Sequence, residues 1–180
     1  MAFLRAIDRN LGKPAVVMVI GGAAAAVAYH SDTRTADIDV FRGMTADLAA
    51  AAHEARRETG LAIAVSAAPV ADLPYNYEER VRPGRGLSLR RLAALFPDKY
   101  DLVLSKAVRG YQHDVDAIEG IHRRHRLSLK TLVERFEGEM SQAIGDPRRI
   151  RLNMVMVAAR LYGDAQARSL AERWGVPAPW

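Results

Sequence analysis

Two glycines and two aspartates in the first quarter of this chain could do chemistry together. Gly21 and Gly22 follow an apolar run and open an alanine-rich segment; Asp37 and Asp39 come soon after. A Gly-Gly turn at a helix start lets backbone N–H groups approach a phosphate, which the helix dipole favours. Carboxylates two residues apart on a strand share one face and suit a hard divalent ion such as Mg2+. Together they predict a nucleotidyl-transfer site, where metal ions clamp the attacking and leaving oxygens.

A strand, a helix and a second strand must position these residues. Val16–Ile20 is a continuous apolar run, typical of a strand buried on both faces, and Ala23–Tyr29 favours a helix. Ala36–Phe41 alternates in polarity, which predicts a strand with Ile38 turned toward the core.

The remaining chain divides into a small α/β part and a helical part. Further elements expected before Pro97 are a helix over residues 1–12, a helix over Ala46–Glu58 capped by Thr45 and ended by Gly60, a strand over Leu61–Val65, an exposed loop or linker over Arg82–Gly86, and a strand or helix start over Leu87–Leu92. After Pro97 the pattern predicts helices over 98–110, 112–124, 128–142, 148–162 and 164–174.

Several blocks of this sequence resemble a known superfamily. The first runs from Ile20-Gly-Gly-Ala-Ala to Arg34-Thr-Ala-Asp-Ile-Asp-Val40, and the others are 73–80, 100–106 and 114–118. Over roughly residues 14–140 the chain resembles the nucleotidyltransferases that include DNA polymerase β, and among them the AbiEii-like branch of bacterial toxin–antitoxin and phage-defence loci. The resemblance implies an α+β fold: a minimal palm-like mixed sheet with flanking helices over residues 1–96, and an all-helical region over residues 97–180 packed on it.

The resemblance also implies roles for seven positions of this sequence. Asp37 and Asp39 would be the catalytic carboxylates and would ligate Mg2+ or Mn2+. The other five would bind the nucleotide of the NTP substrate: Gly21 and Gly22 at the phosphates, Arg34 and Thr35 at the lip of the site, and Lys106 reaching the phosphates from a later helix. From the residues alone, Lys106 could equally extend its amine to the surface.

The sequence departs from the superfamily pattern at two acidic positions. Active members usually supply a third carboxylate from a later strand, but the strand expected over 61–66 carries none, and Asp72 lies beyond Pro69. Asp114 matches the first acid of an Asp-x-x-Asp block, but Ala117 stands where its partner is expected. A positioned base is worth about 10²–10⁴-fold in rate, so these gaps put catalysis in doubt.

Charge is unevenly divided along the 180 residues. Residues 1–72 carry 7 Lys+Arg against 8 Asp+Glu, and residues 73–180 carry 19 against 13. Arginine dominates the basic half and suits phosphate, although solvated helix faces would give the same composition. The densest basic patch is His122-Arg-Arg-His-Arg126, the first candidate for RNA contact, although surface helix charge explains it equally. On the earlier helix that carries Lys106, Asp101 is expected to cap or close the first turn.

Composition excludes several classes of protein. The absence of cysteine excludes disulfide scaffolds, zinc ribbons and thiol nucleophiles, and the longest apolar run falls short of a membrane span. The start of the chain does not resemble a signal peptide, so we expect a cytoplasmic protein without membrane contact. Trp174-Gly-Val-Pro-Ala-Pro-Trp180 could pack back on the domain or reach a partner chain.

Two functions fit these observations. The first is a metal-dependent nucleotidyltransferase that transfers a nucleotide from an NTP to a protein or tRNA acceptor, with a cognate toxin or antitoxin as a possible partner. The second is a catalytically degenerate form of the same fold that acts as a binding module, either an antitoxin or a nucleic-acid-binding or protein-binding partner. The intact Gly-Gly and Asp-x-Asp segments favour the first function, and the missing third carboxylate favours the second.

Overall fold

The computed structural model describes residues 1–32, 35–84 and 86–178 of the chain. These residues form a mixed sheet flanked by helices and followed by a helical region, so the α+β architecture predicted from sequence is confirmed. The strands are β1 (Ala15–Ile20), β2 (Asp37–Arg42), β3 (Ala64–Ala67), β4 (Arg82–Pro83) and β5 (Leu92–Phe96). The helices are α1 (Ala2–Asn10), α2 (Gly21–Tyr29), α3 (Ala46–Thr59), α4 (Tyr77–Arg80), α5 (Lys99–Arg109), α6 (Gln112–His125), α7 (Leu129–Glu139), α8 (Pro147–Tyr162) and α9 (Asp164–Trp174).

Strand β1 is the centre of the sheet, whose order is β3-β2-β1-β5-β4. It pairs antiparallel with β2, where Ile20 lies opposite Asp39, and parallel with β5, where Val16 lies opposite Ala93. Strand β2 in turn pairs parallel with β3. Val17 and Val19 are 3% and 2% exposed, as expected for a strand at the centre of a sheet.

Local capping signals predict the helix ends well. The Thr45 hydroxyl accepts a hydrogen bond from the backbone N–H of Leu48, and Gly60 ends α3 in the left-handed conformation, so both predictions are confirmed. The predicted helices after Pro97 are confirmed to within three residues at each end.

Asp101 does not close the first turn of α5, which corrects the sequence prediction. Asp98 caps the helix by accepting from the N–H of Tyr100. Asp101 is fully buried and accepts hydrogen bonds from Arg80, at 2.9 and 3.0 Å, and from Arg135 at 2.8 Å. It therefore joins α4, α5 and α7 through paired, hydrogen-bonded charges, the form in which a charge can be buried.

The stretch before Pro97 differs from the sequence prediction. The third strand begins at Ala64 rather than at Leu61. Arg82 and Pro83 form a short strand at the edge of the sheet rather than a linker, and the strand that pairs with β1 begins only at Leu92. Proline is tolerated at a sheet edge because no partner strand needs its missing N–H.

Asp8 of α1 organises the start of β5. Its carboxylate accepts hydrogen bonds from three successive backbone N–H groups, those of Arg90, Arg91 and Leu92. Burial alone would raise the pKa of Asp8, but these hydrogen bonds and the Arg91 charge outweigh it and lower the pKa.

The main hydrophobic core combines side chains of the sheet with side chains of the helical region. It extends from Phe3 through Val40 and Leu102 to Met154. A second, smaller cluster lies among α7, α8 and α9 and includes Val155, Ala167 and Leu170. Among the described residues, every helix is too short or too polar to cross a membrane.

Candidate functional site

Gly21 lies directly against the carboxylate of Asp39. Ile20 is the register partner of Asp39, so α2 begins beside the carboxylate. Gly21 has a φ of +69°, and a Cβ placed on it would lie 2.5 Å from Asp39 Oδ2. Both the left-handed backbone and the missing side chain are therefore required at this position.

Gly22 makes room for Thr35 in the same way. A Cβ on Gly22 would lie 2.9 Å from the hydroxyl oxygen of Thr35. That hydroxyl donates a hydrogen bond to Oδ1 of Asp37 and lies 3.1 Å from the Asp37 carbonyl oxygen. Thr35 thus connects the start of α2 to the first carboxylate, whereas Arg34 lies outside the residues that the structure describes.

Asp37 and Asp39 share one face of β2, as the alternation predicts. Ile38 and Val40, on the other face, are 7% and 2% exposed. Partial burial raises the pKa of Asp39, and the neighbouring Asp37 charge raises it further, while Arg109 and Lys106 oppose this. Two carboxylates held this close are destabilised as anions and gain from a cation between them.

Helix α5 brings two cations to the same site, and α6 supplies their counter-ion. Lys106 Nζ donates to Oδ1 of Asp114 at 2.9 Å, and Arg109 Nη2 donates to the same oxygen at 2.6 Å. Lys106 is almost fully buried, so it does not extend its amine to the surface. Oδ2 of Asp114 is buried and has no hydrogen-bond partner among the described residues.

Arg109 is not among the residues that the sequence pattern singles out. It lies three positions after Lys106 on α5, a spacing that places both side chains on neighbouring parts of one helix face. This i, i+3 spacing is the one sequence feature that could have identified Arg109. It is not specific, because surface helices often carry pairs of basic residues at this spacing.

A small cleft joins these groups. Its lining includes Gly21 and Asp39 on one side, Lys106 and Arg109 on another, and Asp72 from the loop after β3. The cleft has a volume of about 170 Å³, below the roughly 300–1,000 Å³ of sites that enclose a drug-sized ligand. It therefore has room for the phosphates of a nucleotide but not for the whole molecule.

Asp72 supplies a third carboxylate to the cleft from an unexpected place. Strand β3 carries no acid, since Ala64 and Ser66 are the register partners of Asp37 and Asp39. Asp72 follows five residues after the strand ends, and its Oδ1 accepts a hydrogen bond from the N–H of Ile144 at 2.7 Å. Only tertiary structure brings this loop back over the site.

Acidic and basic side chains both line the cleft. Among the described residues of its lining, Asp39 and Asp72 are acidic and Lys106 and Arg109 are basic, and both cations also pair with Asp114. In the described ranges, no three His, Asp or Glu side chains lie close enough together to hold a metal ion. The donor set fits an ion held by two carboxylates, with water and phosphate oxygens completing its shell, as Mg2+ is commonly held.

His122 and His125 of α6 take part in packing rather than in an exposed basic patch. The His122 ring packs edge-on against Tyr162, and His125 Nε2 lies 3.0 Å from the carbonyl oxygen of Tyr29. Arg123 and Arg124 are exposed, and both pair with Asp32. The patch is thus smaller than the sequence suggests.

In the C-terminal tail, Trp174 packs against Phe136 and donates from its indole nitrogen to Glu137, while Trp180 lies outside the described residues. A groove of about 800 Å³ lies between α7 and α9, but it holds none of the residues named above for the cleft.

The chain was compared with protein families, curated proteins and solved structures. No curated protein and no solved structure gives a significant match. One family matches residues 2–162, which include β1, β2 with Asp37 and Asp39, Lys106 and Arg109 of α5, and Asp114 of α6. Its description is "Nucleotidyltransferase of unknown function (DUF6036)", and because the match spans most of the chain, the protein belongs to this family.

Proposed function

We propose that this protein is a metal-dependent nucleotidyltransferase that binds an NTP in the cleft between α2 and α5. The observation that carries the proposal is the contact of Gly21 with Asp39. This contact brings the N-terminus of α2 next to the carboxylate pair of β2. A phosphate at the helix start and a metal ion at the carboxylates would then touch each other, as the reaction requires.

The triphosphate would lie along the start of α2 and along Lys106 and Arg109 of α5. Gly21 at the start of α2 lines the cleft, and among the described residues no side chain caps the N-terminus of this helix, so its first backbone N–H groups have no side-chain acceptor there. Lys106 and Arg109 both donate to one oxygen of Asp114. Two positive charges therefore meet one negative charge, and the remaining positive charge can attract an anion. Arg34 and Thr35 are proposed at the lip of the same site.

Asp37 and Asp39 would hold Mg2+ or Mn2+, which when bound neutralises the α-phosphate charge and the leaving group. Partial burial and the repulsion from Asp37 both raise the pKa of Asp39, and a cation that lies between the two carboxylates relieves the repulsion. Thr35 holds Asp37 in position through its hydroxyl.

The proposed reaction exchanges one phosphorus–oxygen bond for another. An acceptor hydroxyl oxygen attacks the α-phosphorus and forms the new bond, while the bond between the α-phosphorus and the bridging oxygen breaks and pyrophosphate leaves. The acceptor proton passes to a carboxylate of the cleft, for which Asp72 is available because only its Oδ1 is engaged by Ile144. The acceptor would be a protein or an RNA such as tRNA, approaching from the basic half of the chain.

The AbiEii-like branch, a cognate toxin or antitoxin and a cytoplasmic location stay predictions. A second function, a binding module that keeps the fold without catalysis, is favoured by one observation: Ser66 stands on β3 beside Asp39, where no acid is supplied. In that case nucleotide would bind but not react.

Calorimetry with Mg2+ and each of the four NTPs tests the proposal. We expect micromolar binding that requires Mg2+ and is lost in the Asp37→Ala/Asp39→Ala double variant. The control is Asp164→Ala/Glu172→Ala, which removes two exposed carboxylates from α9 and should bind as the wild type does. If wild type and the Asp37/Asp39 variant behave alike, the proposed site is wrong.

Catalysis is tested separately by following pyrophosphate release with candidate acceptors. If the protein binds NTP but releases no pyrophosphate with any protein or RNA acceptor, the result would favour the binding module.

A further inference from the structure

Two exposed aromatic rings are stacked on each other at the start of α6. The rings of Tyr111 and His113 have centroids 5.6 Å apart and planes inclined by 23°. Tyr111 is 61% exposed and the side chain of His113 is 70% exposed. Tyr111 precedes the helix without capping it through its side chain, so this pair contributes little to the core and presents a flat aromatic surface to solvent.

This aromatic pair is joined to the cleft through Asp114. His113 Nε2 lies 3.8 Å from Oδ2 of Asp114, the oxygen that has no hydrogen-bond partner among the described residues. The other oxygen of Asp114 accepts from Lys106 and Arg109, which line the cleft together with Asp39. Tyr111 also follows Arg109, the last residue of α5, by two positions, so the aromatic pair lies next to the end of the helix that carries both cations.

The size of the cleft requires the base of a bound nucleotide to lie elsewhere. A cleft of about 170 Å³ accommodates the phosphates, so the nucleoside would extend out of the cleft beyond Lys106 and Arg109. An aromatic face at that place offers stacking, which every nucleobase can use.

We propose that Tyr111 and His113 form the nucleobase subsite of this protein, on which the base of the NTP stacks. This inference rests on the proposed nucleotide-binding function. Because stacking reads the π face rather than hydrogen-bonding edges, the subsite accepts all four bases and favours purines only through their larger face.

The test compares Mg2+–ATP with Mg2+–tripolyphosphate, which has the phosphates but no base, in calorimetry. Stacking on aromatic side chains is worth enough to change affinity by about 5- to 100-fold per base. We expect Tyr111→Ala/His113→Ala to weaken ATP binding by that factor and to leave tripolyphosphate binding unchanged. Tyr111→Phe/His113→Phe keeps both rings and should retain ATP affinity.

Two further controls make the outcome specific. His53→Ala removes an exposed histidine from α3 and should bind both ligands as the wild type does, and thermal unfolding checks that each variant is folded. A wild type that binds ATP and tripolyphosphate equally tightly would overturn the subsite while leaving the proposed function intact. A wild type that binds neither would overturn both. Loss of affinity for a short single-stranded RNA, with ATP binding unchanged, would also overturn the assignment to the NTP.

Discussion

Lys106 and Asp114 form an ion pair inside the protein, with 2.9 Å between Nζ and Oδ1 and side-chain exposures of 3% and 0%. Removing one partner of such a pair leaves a buried charge uncompensated, which costs about 3–5 kcal/mol. We expect Asp114→Ala to lower the free energy of unfolding by about this amount, measured by urea denaturation.

Two companion variants separate the ion pair from other effects. Asp116→Ala changes an exposed acid on the same helix and should alter the free energy of unfolding by only about 0.5 kcal/mol. Replacing both partners, as Lys106→Met with Asp114→Leu, should recover much of the lost stability but not phosphate binding. Full stability of Asp114→Ala alone would show that the pair is not structurally required.

Gly21→Ala should reduce both stability and nucleotide binding. The new methyl group meets Oδ2 of Asp39 in a backbone conformation that already disfavours a side chain. Gly60→Ala is the matched control, because its φ is +68° and nothing lies within 4 Å of the added carbon. We expect about 1 kcal/mol of destabilisation in the control and more than this in Gly21→Ala, with loss of Mg2+–NTP affinity only in the latter.

Equal destabilisation of the two glycine variants would mean that the contact with Asp39 carries no strain. The measurements are chemical denaturation and calorimetry on the same samples.

Asp39→Asn should stabilise the protein in the absence of divalent metal while abolishing metal-dependent binding. The pKa of Asp39 is raised in the folded state, so at neutral pH the ionised carboxylate opposes folding, and metal-free stability rises as the pH falls toward the raised pKa. The uncharged amide removes both the cost of burying the charge and the repulsion from Asp37, and we expect a higher Tm at pH 7 in the presence of a chelator. A lower Tm would contradict this account of Asp39.

Asp8 has the opposite pH dependence. Its pKa is lowered in the folded state, so its contribution is present above the unfolded-state pKa and is lost as the pH falls through the folded-state value. Asp8→Ala should cost about 1–3 kcal/mol at pH 7, because three backbone N–H groups lose their acceptor. The difference between wild type and Asp8→Ala should shrink in acid; a difference that stays constant with pH would contradict this account.

The parts of the site that could be predicted from sequence are those set by local patterns. Gly21 and Asp39 are found because a strand, a tight turn, a helix and a strand follow each other along the chain, each with its own periodicity. Arg109 is missed, and Asp72 is named but not assigned to the site, because a helix position and a loop reach the cleft only through tertiary packing.

The same distinction applies to the fold. The helices of the second half have regular apolar spacing, and α5, α7 and α8 also have side-chain caps. By contrast, β4 is two residues long and β5 is recognisable only by its pairing with β1. Residues 82–92 are rich in glycine, proline and arginine, which favours a loop. In the folded protein, hydrogen bonds to Asp8 fix the backbone at the end of this stretch.

The register of the sheet also has a consequence for the order of folding. Ile20 pairs with Asp39 after one short helix, while Val16 meets Ala93 only after a loop roughly four times longer. Because the entropy of loop closure grows with the logarithm of length, the second pairing costs about 1 kcal/mol more, and during synthesis its partner emerges later. Gly21 and Asp39 can therefore come together on the nascent chain before Lys106 and Arg109 are synthesised, so the acidic side of the cleft can form before its cationic side.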